Sequence, residues 1–330
     1  MTHKQPYNMY IASCHEEGGI YYYQLQSDGN MTLQSFSSLK SPMYMAIDKK
    51  KLYAISRKPF DNRNESAVFI YDILNDNTLS PTGSSFSTLG EVACHISVQD
   101  EDIYCANYIS GSVVKLPDKL VVHKGSSINK ARQEAAHTHQ VVFTPDYKYV
   151  CAVDLGMDKI LIYDRNLNYI SSAGVPEGHG ARHLVFSPCG KYAFCVNELL
   201  STVTVFSYTS GHLYELETYH ALPKDFKGES TAAAIRISNC VRFLYVSNRG
   251  HNSITTFSVS NGKLTLIRHT DCGGVTPRDF NLTPDNQFLV CTNQDSNNVT
   301  CFSMENGIIK NLVHEETVKN PLCVIFDEVN

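Results

Sequence analysis

Four stretches of this chain align with one another without a gap, and that self-similarity limits the fold more than any other feature of the sequence. They run His139-Gln-Val-Val-Phe-Thr-Pro145 to Asp154, Arg182-His-Leu-Val-Phe-Ser-Pro188 to Asn197, Ala233-Ala-Ile-Arg-Ile-Ser-Asn239 to Asn248, and Arg278-Asp-Phe-Asn-Leu-Thr-Pro284 to Asn293. In each, an apolar strand meets a Pro or Asn turn, and a second apolar strand ends on Asn or Asp nine positions after the turn. A third strand follows a short polar stretch, as at 201–206, 253–257 and 298–302, and a fourth follows in the style of 262–266. Looser copies occupy residues 41–71 and 93–116. A first copy at 7–25 lacks its leading strand, and Pro321-Leu-Cys-Val-Ile-Phe326 supplies one at the other terminus.

Units of this length, each with four short strands and marked turns, are the signature of propeller blades. The expected fold is all-β: a seven-bladed β-propeller closed by the C-terminal strand pairing into the N-terminal blade, which removes exposed sheet edges. The 330 residues alone suggest about two domains, but the repeat overrides that prior and predicts a single domain over 1–330. A β-sandwich pair or a solenoid explains neither the fixed offset nor the complementary termini.

The formal charge of −5 and the lack of a basic run exclude an electrostatic footprint for nucleic acid. No apolar stretch reaches the ~20 residues that cross a bilayer. The start, Met1-Thr2-His3-Lys4-Gln5-Pro6, lacks the apolar region of a secretory leader. The eleven cysteines are odd in number, form no Cys-x-x-Cys pair and mostly lie in apolar strands, so they read as reduced core residues. A cytoplasmic location is expected. Oligomeric state is left open.

In a propeller the first strand of each blade lines the central channel, and its start shares one face with the loop after the second strand. The first-strand starts place His95, His139, Arg182 and Arg278 there, with Tyr44 in the second copy. The positions after the closing Asn or Asp add Arg57, Tyr108, Leu155, Glu198, Arg249 and Gln294. Singly, such residues are solvated rim charges or satisfied structural groups. Their recurrence at equivalent positions of different blades points instead to a concave site. His137-Thr-His139 with Glu198 can be drawn as a metal site, but Arg182 and Arg249 beside it disfavour a divalent ion, and calcium needs more oxygen ligands. No metal and no cofactor are expected.

Guanidinium forks suit carboxylate or phosphate, so the expected ligand is a small anion. A neutral histidine takes a proton from water near neutral pH, and a positioned arginine stabilises the oxyanion formed when water attacks an ester. Glu198 can orient the histidine or protonate a leaving alkoxide. The set suits hydrolysis of a cyclic ester carrying a negative group. There is no Gly-x-Ser-x-Gly nucleophile and no phosphate-cradling glycine loop; Gly273-Gly274 reads as turn chemistry.

The stretches Ala136-His-Thr-His-Gln-Val-Val-Phe, Gly180-Ala-Arg-His-Leu-Val-Phe-Ser-Pro, Val196-Asn-Glu-Leu, Phe243-Leu-Tyr-Val-Ser-Asn-Arg-Gly-His-Asn-Ser-Ile and Thr276-Pro-Arg-Asp-Phe follow in order at blade spacing. With them the chain resembles the lactonase family of seven-bladed propellers, typified by bacterial 6-phosphogluconolactonases of propeller type, over nearly its whole length. The family's Gly-Pro-Arg-His carries Ala181 here, and its Pro-Asp-Gly turns become Pro188-Cys189-Gly190 and Asn239-Cys240-Val241. The chain is also similar to fungal cycloisomerases that open or close carboxymuconolactone rings, whose functional positions correspond to His139, Arg182, Glu198 and Arg249.

The resemblance implies a metal-independent lactonase for a phosphorylated sugar lactone, 6-phosphogluconolactone of the pentose phosphate route foremost. His139 is then the general base, Arg182 the oxyanion partner and Glu198 the orienting or proton-donating group. Substrate contacts are expected from His95, His137, His183, Arg57, Arg249 and Arg278. The fold hosts several chemistries. A cycloisomerase or a lactonase for another anionic ring uses the same residues, and a non-catalytic protein-binding propeller stays open. A WD-type propeller is disfavoured, since the chain has no tryptophan.

Overall fold

The second strand of each repeat is an unbroken apolar run because sheets cover it on both faces. In the computed structural model, which describes residues 6–327, the strands Lys51–Ser56, Asp102–Asn107, Tyr149–Asp154 and Tyr192–Asn197 are buried along nearly their whole length. Outermost strands such as Met31–Ser38 and Tyr169–Gly174 alternate between exposed and half-buried positions. Parts of two sequence expectations, the leader argument at residues 1–5 and the domain limits at 1–5 and 328–330, lie outside the described residues.

Seven antiparallel sheets of four strands each form among the described residues, one per repeat, with no helix. Blade 1 is composite: Pro321–Asp327 pairs with Tyr7–Ser13, which pairs in turn with Gly19–Leu25. The predicted ring closure is therefore present. Blades 2 to 7 start at their inner strands Pro42–Asp48, Ala93–Gln99, Thr138–Phe143, Ala181–Phe186, Thr231–Ile237 and Pro277–Leu282.

The core lies between blades rather than within one. Phe194, Val196 and Val205 of blade 5 pack on Ile235, Leu244, Val246 and Phe257 of blade 6. Ile11, Leu25 and Val324 of blade 1 meet Phe288, Val290 and Val299 of blade 7. Burying one such side chain stabilises by about 1.5–3 kcal/mol, so each blade depends on both neighbours. Eight of the cysteines are buried in these layers, Cys14 is half-buried, and all eleven are free thiols. Cys189 and Cys240 depart from the core reading: they occupy exposed turns.

The Asn at the end of the second strand in blades 3, 5, 6 and 7 is a tether. Asn248 Nδ2 donates to Thr255 Oγ1 at 2.9 Å and to the Ala221 carbonyl at 3.3 Å, and Thr255 Oγ1 donates to the same carbonyl at 2.6 Å. Asn293 repeats this with Thr300 and the Cys272 carbonyl. Asn107 and Asn197 donate to the hydroxyls of Ser112 and Thr202. Each amide binds its second strand to the third, and three of them also reach the connection arriving from the blade before. We expect Asn248→Leu to lower the urea midpoint by an amount equivalent to about 1–3 kcal/mol, because buried acceptors lose their donor. An unchanged midpoint would remove the tether role.

Candidate active site

A β-bulge near the start of the inner strands determines which side chains face the channel mouth. Pairing shifts across Met43, Cys94, His139, Arg182 and Arg278, each skipped by the partner strand. Met43, Cys94, His139 and Arg278 line a cavity of about 250 Å³. Residues at or just past the ends of the second strands add Arg57, Tyr108, Glu198 and Arg249 to its wall.

Glu198 is the hub. Its Oε2 accepts from Arg182 Nε at 2.9 Å and pairs with Arg249 at 3.1 Å, while its Oε1 accepts from Arg132 at 2.6 Å. The carboxylate is 4 % exposed. Burial raises its pKa, but Arg249 and Arg182 together outweigh that and hold it well below the usual carboxylate range. The group is thus an anion fixed among cations, a poor proton donor.

His139 is 5 % exposed, and its Nε2 stands 4.0 Å from Glu198, beyond direct hydrogen bonding. Its Nδ1 is sealed without a protein partner, so the Nε2 edge is the one turned to the cavity. Burial and the nearby Arg182 guanidinium push its pKa well below 6.5, so the ring is a neutral base at neutral pH. Tyr108 presents its ring edge to His139, with centroids 5.6 Å apart.

Arg182 lies behind Glu198 rather than on the cavity. It is 2 % exposed and donates from NH1 to the Ala233 carbonyl at 2.6 Å. Burial and Arg249 lower its pKa to about 10, leaving it charged. Arg278 is pushed down to about 9 by burial and by Arg182 and Arg249, and its guanidinium makes a long 3.4 Å contact to Gln294. Arg57 is exposed at the rim.

The structure therefore brings His139, Glu198, Arg57, Arg249 and Arg278 around one cavity, with Arg182 supporting it. Three expected substrate contacts lie elsewhere. His137 is tied to the Tyr108 carbonyl at 3.0 Å and to Glu134 at 3.1 Å, stacked on Tyr108. His95 and His183 follow the bulged residues by one position, and their rings pack against each other and Tyr44 below the cavity. Sequence reasoning passed over Arg132, which reaches in from the connection between blades 3 and 4. That stretch has no repeat register, and its unusual length was the one signal available.

The larger cavity, about 670 Å³, opens at the opposite end of the channel, where the inner strands finish. Its cations are already paired: Lys49 with Asp100 at 3.1 Å, Lys50 with Asp327 at 2.8 Å and Arg236 with Asp279 at 2.8 Å. It offers an anion no unpaired cation, whereas the smaller cavity gathers four guanidiniums around one carboxylate.

A candidate 6-phosphogluconolactonase of Bacteroides fragilis superposes with a TM-score of 0.89 at 26% identity, covering 99% of both chains. The periplasmic gluconolactonase PpgL of Pseudomonas aeruginosa also gives 0.89, at 27% identity, covering 98% of this chain and 100% of its own. An uncharacterized Staphylococcus saprophyticus protein is 32% identical over 81% of this chain and 82% of its own length. The family model described as lactonase, 7-bladed beta-propeller, matches residues 8–326, and with the bulged ring and its polar mouth in place the chain belongs to that family.

Proposed function

We propose that the chain is a single-domain, metal-independent lactonase for a phosphorylated sugar lactone, with 6-phosphogluconolactone as the foremost substrate. One observation carries this: Arg57, Arg132, Arg249 and Arg278 surround a neutral imidazole in one cavity. Guanidiniums hold phosphate in forks, and an uncharged base in their midst takes a proton from water without a metal. The free thiols agree with a cytoplasmic, reducing setting.

His139 takes a proton from water as the oxygen attacks the lactone carbonyl. Arg249, on the cavity wall, faces the oxyanion that forms, a contribution of about 3–4 kcal/mol for a well-placed donor. The protonated His139 returns its proton to the ring oxygen as the C–O bond breaks, giving a hydroxy acid. Arg57, Arg132 and Arg278 hold the phosphate. Arg182 acts through Glu198 as a positioning residue.

The gluconolactonase name of the Pseudomonas neighbour favours a second reading, in which the lactone is unphosphorylated. Freshly made 6-phosphogluconolactone and glucono-lactone, followed against their spontaneous hydrolysis, separate the two. The phosphorylated ring is expected to be hydrolysed with the lower KM. Acceleration of the unphosphorylated lactone alone would transfer the assignment to it, and acceleration of neither would end the lactonase reading.

A further inference from the structure

The hydrolytic steps leave Tyr108, on the cavity wall, without a task. Its ring is held from two sides. It stacks on the His137 imidazole, with centroids 4.7 Å apart and planes 13° from parallel, and it meets His139 edge-on at 5.6 Å. His137 Nδ1 is bound to the Tyr108 carbonyl at 3.0 Å and its Nε2 to Glu134 at 3.1 Å. The Tyr108 amide donates to the Val92 carbonyl at 3.1 Å. His137 is therefore a shelf: it stays off the cavity and fixes the aromatic ring that lines it.

Arg132 donates from NH2 to the Tyr108 hydroxyl at 3.3 Å, and the same nitrogen donates to Glu198 Oε1 at 2.6 Å. The phenol oxygen thus accepts from a cation, while its own proton goes to no protein group among the described residues. Burial raises its pKa above the ordinary tyrosine value against the pull of Arg132, so the proton is present at neutral pH. The other donors on the wall are charged or already engaged. The arginines are cations, and the Cys94 thiol faces the His139 carbonyl at 3.2 Å. Tyr108 is the neutral donor left for a ligand, and a hydroxyl that accepts from a guanidinium is polarised toward donating.

We propose that Tyr108 is a catalytic residue of this site, its hydroxyl donating a hydrogen bond to the lactone ring oxygen as that oxygen leaves the acyl carbon. The proposal rests on the lactonase reading. In that reaction the ring C–O bond breaks, the bonding pair stays on oxygen, and protonated His139 supplies the proton. The leaving oxygen therefore lies beside His139, the ring that Tyr108 flanks. The phenol keeps its proton throughout and shares it most fully when charge on the oxygen is greatest. That oxygen is neutral before the step and neutral after it. A neutral donor thus stabilises the charge in between without holding substrate or product more tightly.

Tyr108→Phe removes only this hydroxyl and keeps the ring on its shelf. Its kcat on the accepted lactone should fall roughly 10–100-fold with KM little changed, the pattern of a contact made in the transition state alone. The urea midpoint should stay at the wild-type value, because the stack on His137 survives. Arg132→Met supplies the contrast, since loss of a phosphate-holding group raises KM. A Tyr108→Phe protein that raises KM as Arg132→Met does would show the hydroxyl acting only through Arg132, and would overturn the role. So would an unchanged kcat, or a loss of kcat that comes with a lowered urea midpoint, which assigns it to packing. If the wild-type protein accelerates no lactone, the lactonase reading fails and this role with it. An active wild type beside an equally active Tyr108→Phe fails the role alone.

Discussion

Glu198→Ala is expected to lose roughly 3–5 kcal/mol of stability, the cost of breaking a buried ion pair from one side. Arg182, sealed behind the carboxylate, keeps its charge with only a carbonyl for company. Arg249 and Arg132 lose the anion that gathers them, so the guanidiniums of the cavity spread. Glu198→Gln keeps the shape and one acceptor oxygen but sets an NH2 donor against an arginine, and its urea midpoint should fall between those of Glu198→Ala and wild type. Activity should be lost in both variants, because the carboxylate's charge positions the arginines. A Glu198→Ala protein as stable as wild type would mean that the cluster contributes nothing to the fold.

His139→Asn is expected to lower kcat by about 10²–10⁴-fold, the usual range for loss of a general base, with KM little changed because the arginines carry the substrate. The pH profile gives a second reading of the same group. A general base works in its neutral form, so activity falls as pH drops through its pKa. An ordinary histidine would lose half its activity near pH ~6.5. Burial and Arg182 hold His139 well below that value, so wild-type kcat should stay level from neutral pH to well under 6.5. A half-maximal rate near the ordinary value would point to a different base.

The blade count, the ring closure and the gathering of His139, Glu198, Arg57, Arg249 and Arg278 at one channel mouth were legible because they depend on periodicity, which survives in the strand and turn residues. The choice of side chains within the mouth was less legible, and the reason is a hairpin. Blades 2 and 3 join their first two strands through the two-residue turns Lys49-Lys50 and Asp100-Glu101, all four residues in the left-handed region. The later blades use longer turns around Pro145, Pro188, Asn239 and Pro284. Aligning across that difference by residue type put His95 and Tyr44 level with His139, whereas the bulges make Cys94 and Met43 its equivalents. One position decides whether a side chain enters the cavity or the packed rings beneath it. His183 follows Arg182 and lies on the lower level for the same reason. Arg182 was found in the right place but with its guanidinium committed to Glu198 and Ala233, something only packing reveals.

The composite blade also sets a timetable for synthesis. Among the described strands Tyr7–Ser13 is the first to leave the ribosome, and its inner partner Pro321–Asp327 follows all the others. For most of translation blade 1 holds three strands, with the backbone groups that later bind Pro321–Asp327 still unpaired. The interval grows with chain length, while the entropic cost of joining the two ends rises only with its logarithm. The final step is therefore late rather than difficult, and a nascent chain that stalls before residue 321 is the species most prone to pair with a neighbour. A circular permutant that joins the present ends and opens at an exposed turn between intact blades would complete every blade in order of synthesis.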